Sequence, residues 1–317
     1  MKKALVTGGT GFLGSYLCEE LLKRGQEVYA LDIASPSKVE HLTGNKKFHY
    51  VQGSVLDRDI IDSLINRCDI VYHFGAMVGV HLYVMDPLSV LEVNIQGTRL
   101  IAERAFKYGK KLCFASTSEV YGKSADIPYR EDGDRVLGST KIDRWCYSTS
   151  KAAGEHYVFA YHKLGLPVVV YRFFNVYGPR LDKLGAGRVI TIFLEQFLTG
   201  KPVTVADDGR QTRCFTYVDD AVNAVISAAD SKKAEGEILN IGSNKEITIL
   251  ELAETMKKVG GFSSPIDLIP YKKVYGKSYE DVRRRVPDVS KARKLLGWEA
   301  TTPLDEGLKR TMEHFRK

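Results

Sequence analysis

Short apolar runs alternate with longer stretches of helical periodicity through the first half of the chain. ALVTG, QEVYALDI, KFHYVQGSVLD, CDIVYHFGA, KKLCFA and LPVVVYRFFN read as strands, apolar inside and closed by polar or small residues. GFLGSYLCEELLKRG reads as an amphipathic helix, and DPLSVLEVNIQGTRLIAERAFKYG as a longer one opening at Pro87 and stopping at Gly109. RWCYSTSKAAGEHYVFAYHKLG reads as a third, running to Gly165. Strand alternating with helix at this rhythm predicts an α/β fold built on a doubly wound parallel sheet. After about residue 175 the pattern changes. GRVITIFLEQFLTG predicts a helix, KPVTVADDGRQTRCFTYVDD a strand pair turning at Asp208 and Gly209, and EGEILNIG another core strand. SNKEITILELAETMKKVGG predicts a helix capped near Ser243, and the segment from SSPIDLIPY onward holds an arginine cluster and a short closing helix.

Gly8, Gly11 and Gly14 fall between the first strand and the first helix, flanking Phe12 and Leu13. Glycines in that context let the backbone turn tightly and approach a pyrophosphate, whose charge then rests on the helix N-terminus. Asp32 stands at the end of the next strand, about 20 residues on, where a carboxylate accepts both ribose hydroxyls and repels a 2′-phosphate. The expected cofactor is therefore NAD rather than NADP, with Lys38, the nearest later basic residue, well past the strand end. Ser54 and Val55 leave the third strand, and Phe74, Gly75 and Ala76 leave the fourth. Asn94, polar amid apolar neighbours, is either a satisfied core amide or a group beside the cofactor. The expected organisation is a Rossmann-type NAD-binding domain over residues 1–175, to which the strand at 236–241 returns. A smaller mixed α/β substrate lobe takes the rest of 176–317.

FASTSEVYG ends a buried strand in Ser116, Thr117, Ser118 and Glu119, at the edge where parallel sheets open onto their ligand crevice. Tyr147 and Lys151 are four apart on a predicted helix, hence on one face, and an ammonium beside a phenol favours phenolate. Tyr147 is thus a candidate general base. In composition the chain, 317 residues with 44% hydrophobic and 27% charged, is that of an ordinary globular protein. No apolar run is long enough to span a membrane, and MKKALVTGG lacks the apolar core of a signal peptide, so a cytoplasmic protein is expected. Cys18, Cys68, Cys113, Cys146 and Cys214 are scattered without metal spacing, and no metal site is expected. The net charge of +7 has one dense basic cluster, Arg283 to Arg285, without a nucleic-acid-binding signature; it suits a small ligand carrying phosphates and a carboxylate. The helices at 88–108 and 147–164 suit either a homodimer seam or an internal packing face.

TGGTGFLG, the strand-end Asp32, STSEVYG, YxxxK and RFFNVYGPR, in that order along the whole chain, resemble the extended short-chain dehydrogenase/reductases that act on nucleotide sugars. The triplet Thr117-Ser118-Glu119, with RWCYSTSK, GRQTRCFTYVDD and YGKSYEDVRRRVPDVSKARKLLGW, is most similar to the UDP-glucuronate decarboxylases of that family. The resemblance implies that Glu119 and Arg285 serve decarboxylation. It also implies that Tyr83, Thr117, Ser118, Arg144, Asn175, Arg210, Arg213 and Tyr279 contact the nucleotide sugar, with Arg284 an alternative phosphate ligand one residue of register away. Ser54 departs from the family, which usually has an aspartate there against adenine. Three readings follow: NAD-dependent decarboxylation of UDP-glucuronate to UDP-xylose or a UDP-4-keto-pentose, C4 epimerisation of a UDP-sugar, or an NAD-binding scaffold without turnover. The third is opposed by the intact Thr117, Tyr147 and Lys151 set. Glu119 repels the substrate carboxylate if ionised and donates a hydrogen bond if protonated.

Overall fold

The computed structural model describes residues 1–185, 187–270 and 282–316. Tyr279 lies outside them. Seven parallel strands form the central sheet: β1 (Lys3–Thr7), β2 (Glu27–Asp32), β3 (Phe48–Gln52), β4 (Ile70–His73), β5 (Lys111–Thr117), β6 (Val168–Phe173) and β11 (Glu237–Ile241). Their order is β11-β6-β5-β4-β1-β2-β3, so the winding reverses between β1 and β4 and a crevice opens there at the carboxyl ends.

Both faces are covered, which is why these strands are apolar throughout rather than alternating. Ala4, Val6, Tyr72 and Tyr171 point into one apolar cluster, while Leu5, Val71, Leu112 and Phe114 point into the other. The second is closed by α2 (Arg58–Arg67), α4 (Pro87–Lys107) and α5 (Arg144–Lys163), the last two packed along each other. α1 (Phe12–Lys23) covers the first, inserting Leu17, Cys18, Leu21 and Leu22 as one stripe.

The first cluster does not stop at the sheet. It continues through Phe193 and Phe197 of α6 (Val189–Leu198), Leu252 and Met256 of α8 (Ile249–Gly260), and Leu308 and Met312 of the helix Leu304–Phe315. The segments after residue 188 thus share one core with the sheet. The chain also returns to the sheet earlier than the 236–241 strand. α7 (Val218–Asp230), not anticipated in the sequence, packs on α1 and β6 and buries Ala221, Val222, Val225, Ile226 and Ala229.

Two expectations for the lobe fail. The turn at Asp208 and Gly209 forms, with Gly209 at φ +66° donating its amide to Ala206 at 3.1 Å, but it does not close a hairpin. β8 (Val203–Ala206) pairs instead with β13 (Ile266–Ile269), and β9 (Thr212–Cys214) with β12 (Glu246–Thr248) and β14 (Arg284–Arg285), while β7 (Val176–Tyr177) and β10 (Thr216–Tyr217) pair with each other. The reason lies beyond the turn: the Gly209 carbonyl accepts the Leu250 amide at 3.1 Å, tying the turn to α8 and sending β9 into a second small sheet. The cap of α8 is Thr248, in a reciprocal capping box with Glu251, not a residue near Ser243, whose hydroxyl accepts the Lys245 amide instead.

Candidate active site

One cavity of about 840 Å³ runs from the β1–α1 turn across the carboxyl ends of β4 and β5 into the lobe. It is bordered by Gly8, Gly11, Phe12, Leu13, Gly14, Asp32, Ser54, Val55, Phe74, Gly75 and Ala76 at one end. Tyr83, Thr117, Ser118, Glu119, Arg144, Tyr147, Lys151, Asn175, Arg213 and Arg285 border the rest. Four arginines and two lysines against two carboxylates make it a site for anionic ligands.

Its first end is a cradle that a side chain would destroy. Gly8, at φ +70°, passes so close to β4 that a Cβ would lie 2.8 Å from the Gly75 amide nitrogen, and a Cβ on Gly14 would run into the Gly8 carbonyl. Gly11 precedes α1 as its cap and offers no side chain to it, leaving the first helical amides for a ligand. The Thr10 hydroxyl, on the cavity wall, is buried without a hydrogen-bond partner among the described residues. The Asp32 oxygens accept the Thr10 and Ala34 amides, each at 3.1 Å, and keep lone pairs for further donors. These residues fit a dinucleotide. Lys38 borders the cavity after all, but its ammonium donates to the Leu181 carbonyl at 2.8 Å. The Ser54 hydroxyl accepts the Leu56 amide at 3.1 Å and keeps its own proton to donate, where the family's aspartate could only accept. Asp32→Ala is expected to weaken NAD binding about tenfold and to narrow the preference for NAD over NADP, read by titrating both cofactors.

Asn94 does not border the cavity and is a satisfied core amide. Its oxygen accepts the Met77 amide at 2.8 Å, and its nitrogen donates to the Met77 carbonyl and to Ser150 Oγ, both at 3.1 Å. It holds the segment after β4 against α5, so any effect on a cofactor passes through Met77.

At the middle of the cavity β5 delivers Thr117, the short helical turn after it (Ser118–Tyr121) delivers Glu119, and α5 delivers Tyr147 and Lys151. The Tyr147 ring stacks on Tyr83 at 4.6 Å and 11°, which fixes its orientation. Burial raises its pKa and Glu119 raises it further, against smaller opposing effects of Arg188 and Thr117. The expectation of a phenol kept acidic by Lys151 is therefore not met by the protein's own groups. Lys151 sits with its ammonium 4.5 Å from the Phe114 ring centre, and burial lowers its pKa to about 7.

Glu119 is clamped. Arg285 Nη1 donates to one oxygen at 2.6 Å, and Arg144 Nη2 approaches both at 3.1 and 3.4 Å. Burial alone would raise its pKa, but the two guanidiniums outweigh it and hold the carboxyl at about 2, so Glu119 is ionised. β14 resolves the arginine register: Arg285 turns into the cavity, while Arg284, next along the strand, turns to solvent and grips Glu246 at 2.7 and 2.8 Å. Arg284 and Arg210 do not border the cavity. Arg210 is exposed just past the turn, its amide bound to Asp208. Asn175 holds a positive φ of 39° and donates to the Cys214 carbonyl at 3.0 Å. Sequence reasoning missed Arg188, which precedes α6, pairs with Asp182 at 3.1 Å and lies over the Phe12 ring. Its only signal was a basic residue opening an apolar helix.

The GDP-mannose 4,6 dehydratase family model matches residues 5–311. A UDP-N-acetyl-α-D-glucosaminuronate decarboxylase of Bacillus cytotoxicus is 42% identical over 100% of this chain and 98% of its own. The UDP-glucose 4-epimerase of Thermotoga maritima, solved with UDP-glucose, is 33% identical over 99% of this chain and 98% of its own, with a TM-score of 0.89. The UDP-glucuronic acid 4-epimerase of Bacillus cereus, solved with UDP-glucuronic acid and NAD, is 31% identical over 99% of both chains, with a TM-score of 0.87. The glycine cradle, the strand-end aspartate and the Thr117–Tyr147–Lys151 set agree with these matches, and the chain belongs to the extended short-chain dehydrogenase/reductases, the NAD-dependent epimerases and dehydratases.

Proposed function

We propose that this protein is an NAD-dependent decarboxylase of a UDP-linked hexuronic acid. The observation that carries the reading is the ionised Glu119 between Arg144 and Arg285, beside Thr117 and Tyr147. Two guanidiniums and one carboxylate leave one positive charge over, which complements a sugar carboxylate and has no counterpart in a neutral hydroxymethyl. The Bacillus cytotoxicus relative supports a uronate substrate, in its case one with an acetamido group at C2; a C2 hydroxyl is the alternative that the UDP-glucuronic acid 4-epimerase supports.

The Gly8–Gly14 turn and Asp32 would hold NAD, which would supply the hydride acceptor for the sugar C4 and a positive charge that favours ionisation of the Tyr147 phenol. Thr117 holds the C4 hydroxyl and Tyr147 removes its proton. With C4 a ketone, the C5 carboxylate is β to a carbonyl: the bond from C5 to the carboxyl carbon breaks, its electron pair passes into the enolate, CO₂ departs, and C5 takes up a proton to restore the ketone. Arg285 neutralises the carboxylate on arrival, and Glu119 disfavours its persistence as an anion. Arg213 and Arg188 suit the diphosphate.

Incubation with NAD and UDP-glucuronate or UDP-N-acetylglucosaminuronate is expected to give a product lighter by one CO₂ where the hydride returns to C4, or lighter by CO₂ and two hydrogens, with one NADH formed, where a 4-keto-pentose is released. A product of unchanged mass with C4 inverted would replace this reading by 4-epimerisation, which the two epimerase structures favour and which needs the same tyrosine and lysine. We further propose a homodimer through α4 and α5, where Phe106 and Leu164 remain exposed; molar mass in solution tests it. We assign the activity to the cytoplasm, consistent with five unpaired thiols.

A further inference from the structure

We propose that Glu155 is a positioning residue for the proton of Lys151, fixed for that task by Arg172 and Ser116. The inference rests on the reading of Tyr147 and Lys151 as the reacting pair. α5 presents Tyr147, Lys151 and Glu155 at successive four-residue steps, so the three share one face. Lys151 is the one lysine below a tenth exposed among the described residues, at 3%. Burial works against its ammonium, and Glu155 is the charge that favours it.

The other groups around Lys151 cannot take that part. Phe114 of β5 offers only its ring face. His73 of β4 is neutral: Thr98 Oγ1 donates to the Asn94 carbonyl and so accepts from His73 Nε2, leaving Nδ1 to accept from Thr7. A proton added to His73 would have to displace the Thr7 bond, and burial with the nearby Lys151 holds its pKa down at about 3. Tyr147 is a protonated phenol.

Glu155 is held on three sides. Arg172 of β6 donates from Nε at 2.9 Å and Nη2 at 2.7 Å, and Ser116 Oγ at 2.5 Å. Arg172 is itself fixed by the Glu131 carbonyl at 3.0 Å and the Tyr121 ring at 4.7 Å. The carboxyl of Glu131 faces away, accepting the Asn240 amide at 2.9 Å. Ser116 borders the cavity one residue before Thr117, so the carboxylate is tied to the strand end that carries the chemistry. A buried ion pair is a poor source of stability and is often replaceable by apolar residues. Here it keeps a negative charge fixed one helical turn from a buried lysine.

The test uses protein with NAD and lysine carrying ¹³C at Cε, with Lys151→Arg identifying the resonance. In Glu155→Gln/Arg172→Gln, which strands neither charge, the Lys151 midpoint is expected to fall by roughly one unit or more. The alkaline limb of kcat should move down with it. Should that variant not fold, Glu155→Met/Arg172→Met carries the same expectation. Glu155→Asp, which keeps the charge, should restore most of the midpoint. An unchanged midpoint in either folded double variant overturns the proposal. Absence of turnover by the wild-type protein on every UDP-uronate would instead overturn the reading of the reaction, and the resonance would still decide the part of Glu155.

Discussion

Tyr147→Phe is expected to lower kcat by about 10²–10⁴-fold while leaving NAD affinity within twofold and the fold intact. The substitution removes one oxygen and keeps the ring, so the stack on Tyr83 at 4.6 Å survives. Thr117 is only a minor influence on the phenol, and losing one polar contact costs about 1 kcal/mol at most. The large kinetic loss against this small structural one follows from where the proton sits. Burial and Glu119 both favour the neutral phenol, so the protein does not store a phenolate. Deprotonation then depends on the positive charges brought together in the loaded site, Lys151 among them. Because the folded pKa of Tyr147 is raised, its ionisation disfavours the fold only above the ordinary tyrosine range. Tyr147→Phe should therefore leave stability at neutral pH nearly unchanged, checked by denaturant unfolding alongside single-turnover kinetics. A variant that turned over at the wild-type rate would remove Tyr147 from the proton transfer.

The features that sequence made legible are those set by short-range spacing. The turn from Gly8 to Gly14, the carboxylate at the end of β2, the hydroxyl at the end of β5 and the four-residue step from Tyr147 to Lys151 depend on neighbours within one strand or one helix. What remained open depends on contacts between distant segments. Whether Arg284 or Arg285 faces the cavity is decided by β14 pairing with β9, in which Arg285 stands opposite Arg213. The ionisation of Glu119 is decided by arginines 25 and 166 positions away. The turn at Asp208 and Gly209 has a hairpin's local chemistry, and the Leu250 amide on the Gly209 carbonyl redirects it. α7 was hidden because its buried positions include small alanines, whose periodicity is faint beside valine and isoleucine. Asn94 could not be assigned until Met77 and Ser150, from two other elements, were seen to use up its amide.

Glu119→Gln is expected to separate the two halves of the reaction. The carboxylate is one-fifth exposed, and its guanidinium partners Arg144 and Arg285 are 2% and 7% exposed. With the negative charge gone, two buried cations face the substrate carboxylate and hold it as an anion, so CO₂ release should slow about 10²-fold or more. Oxidation at C4 should not slow, because the charge that raises the Tyr147 pKa has been removed with it. Reduced cofactor and a 4-keto uronate should therefore accumulate, measured as NADH absorbance without CO₂. Unimpaired CO₂ release would remove Glu119 from the decarboxylation. The same change has a thermodynamic signature. The folded pKa of Glu119, about 2, lies below that of an unfolded carboxylate, so its contribution is complete above the unfolded value and is lost as pH falls toward 2. That shift corresponds to about 3 kcal/mol, similar to the cost of breaking a buried pair. Glu119→Gln should lose about that much stability at neutral pH, and its acid unfolding should lack the component that the wild type shows between about pH 4 and 2. A variant with full neutral stability would mean that solvent, not the two arginines, sets the state of this carboxylate.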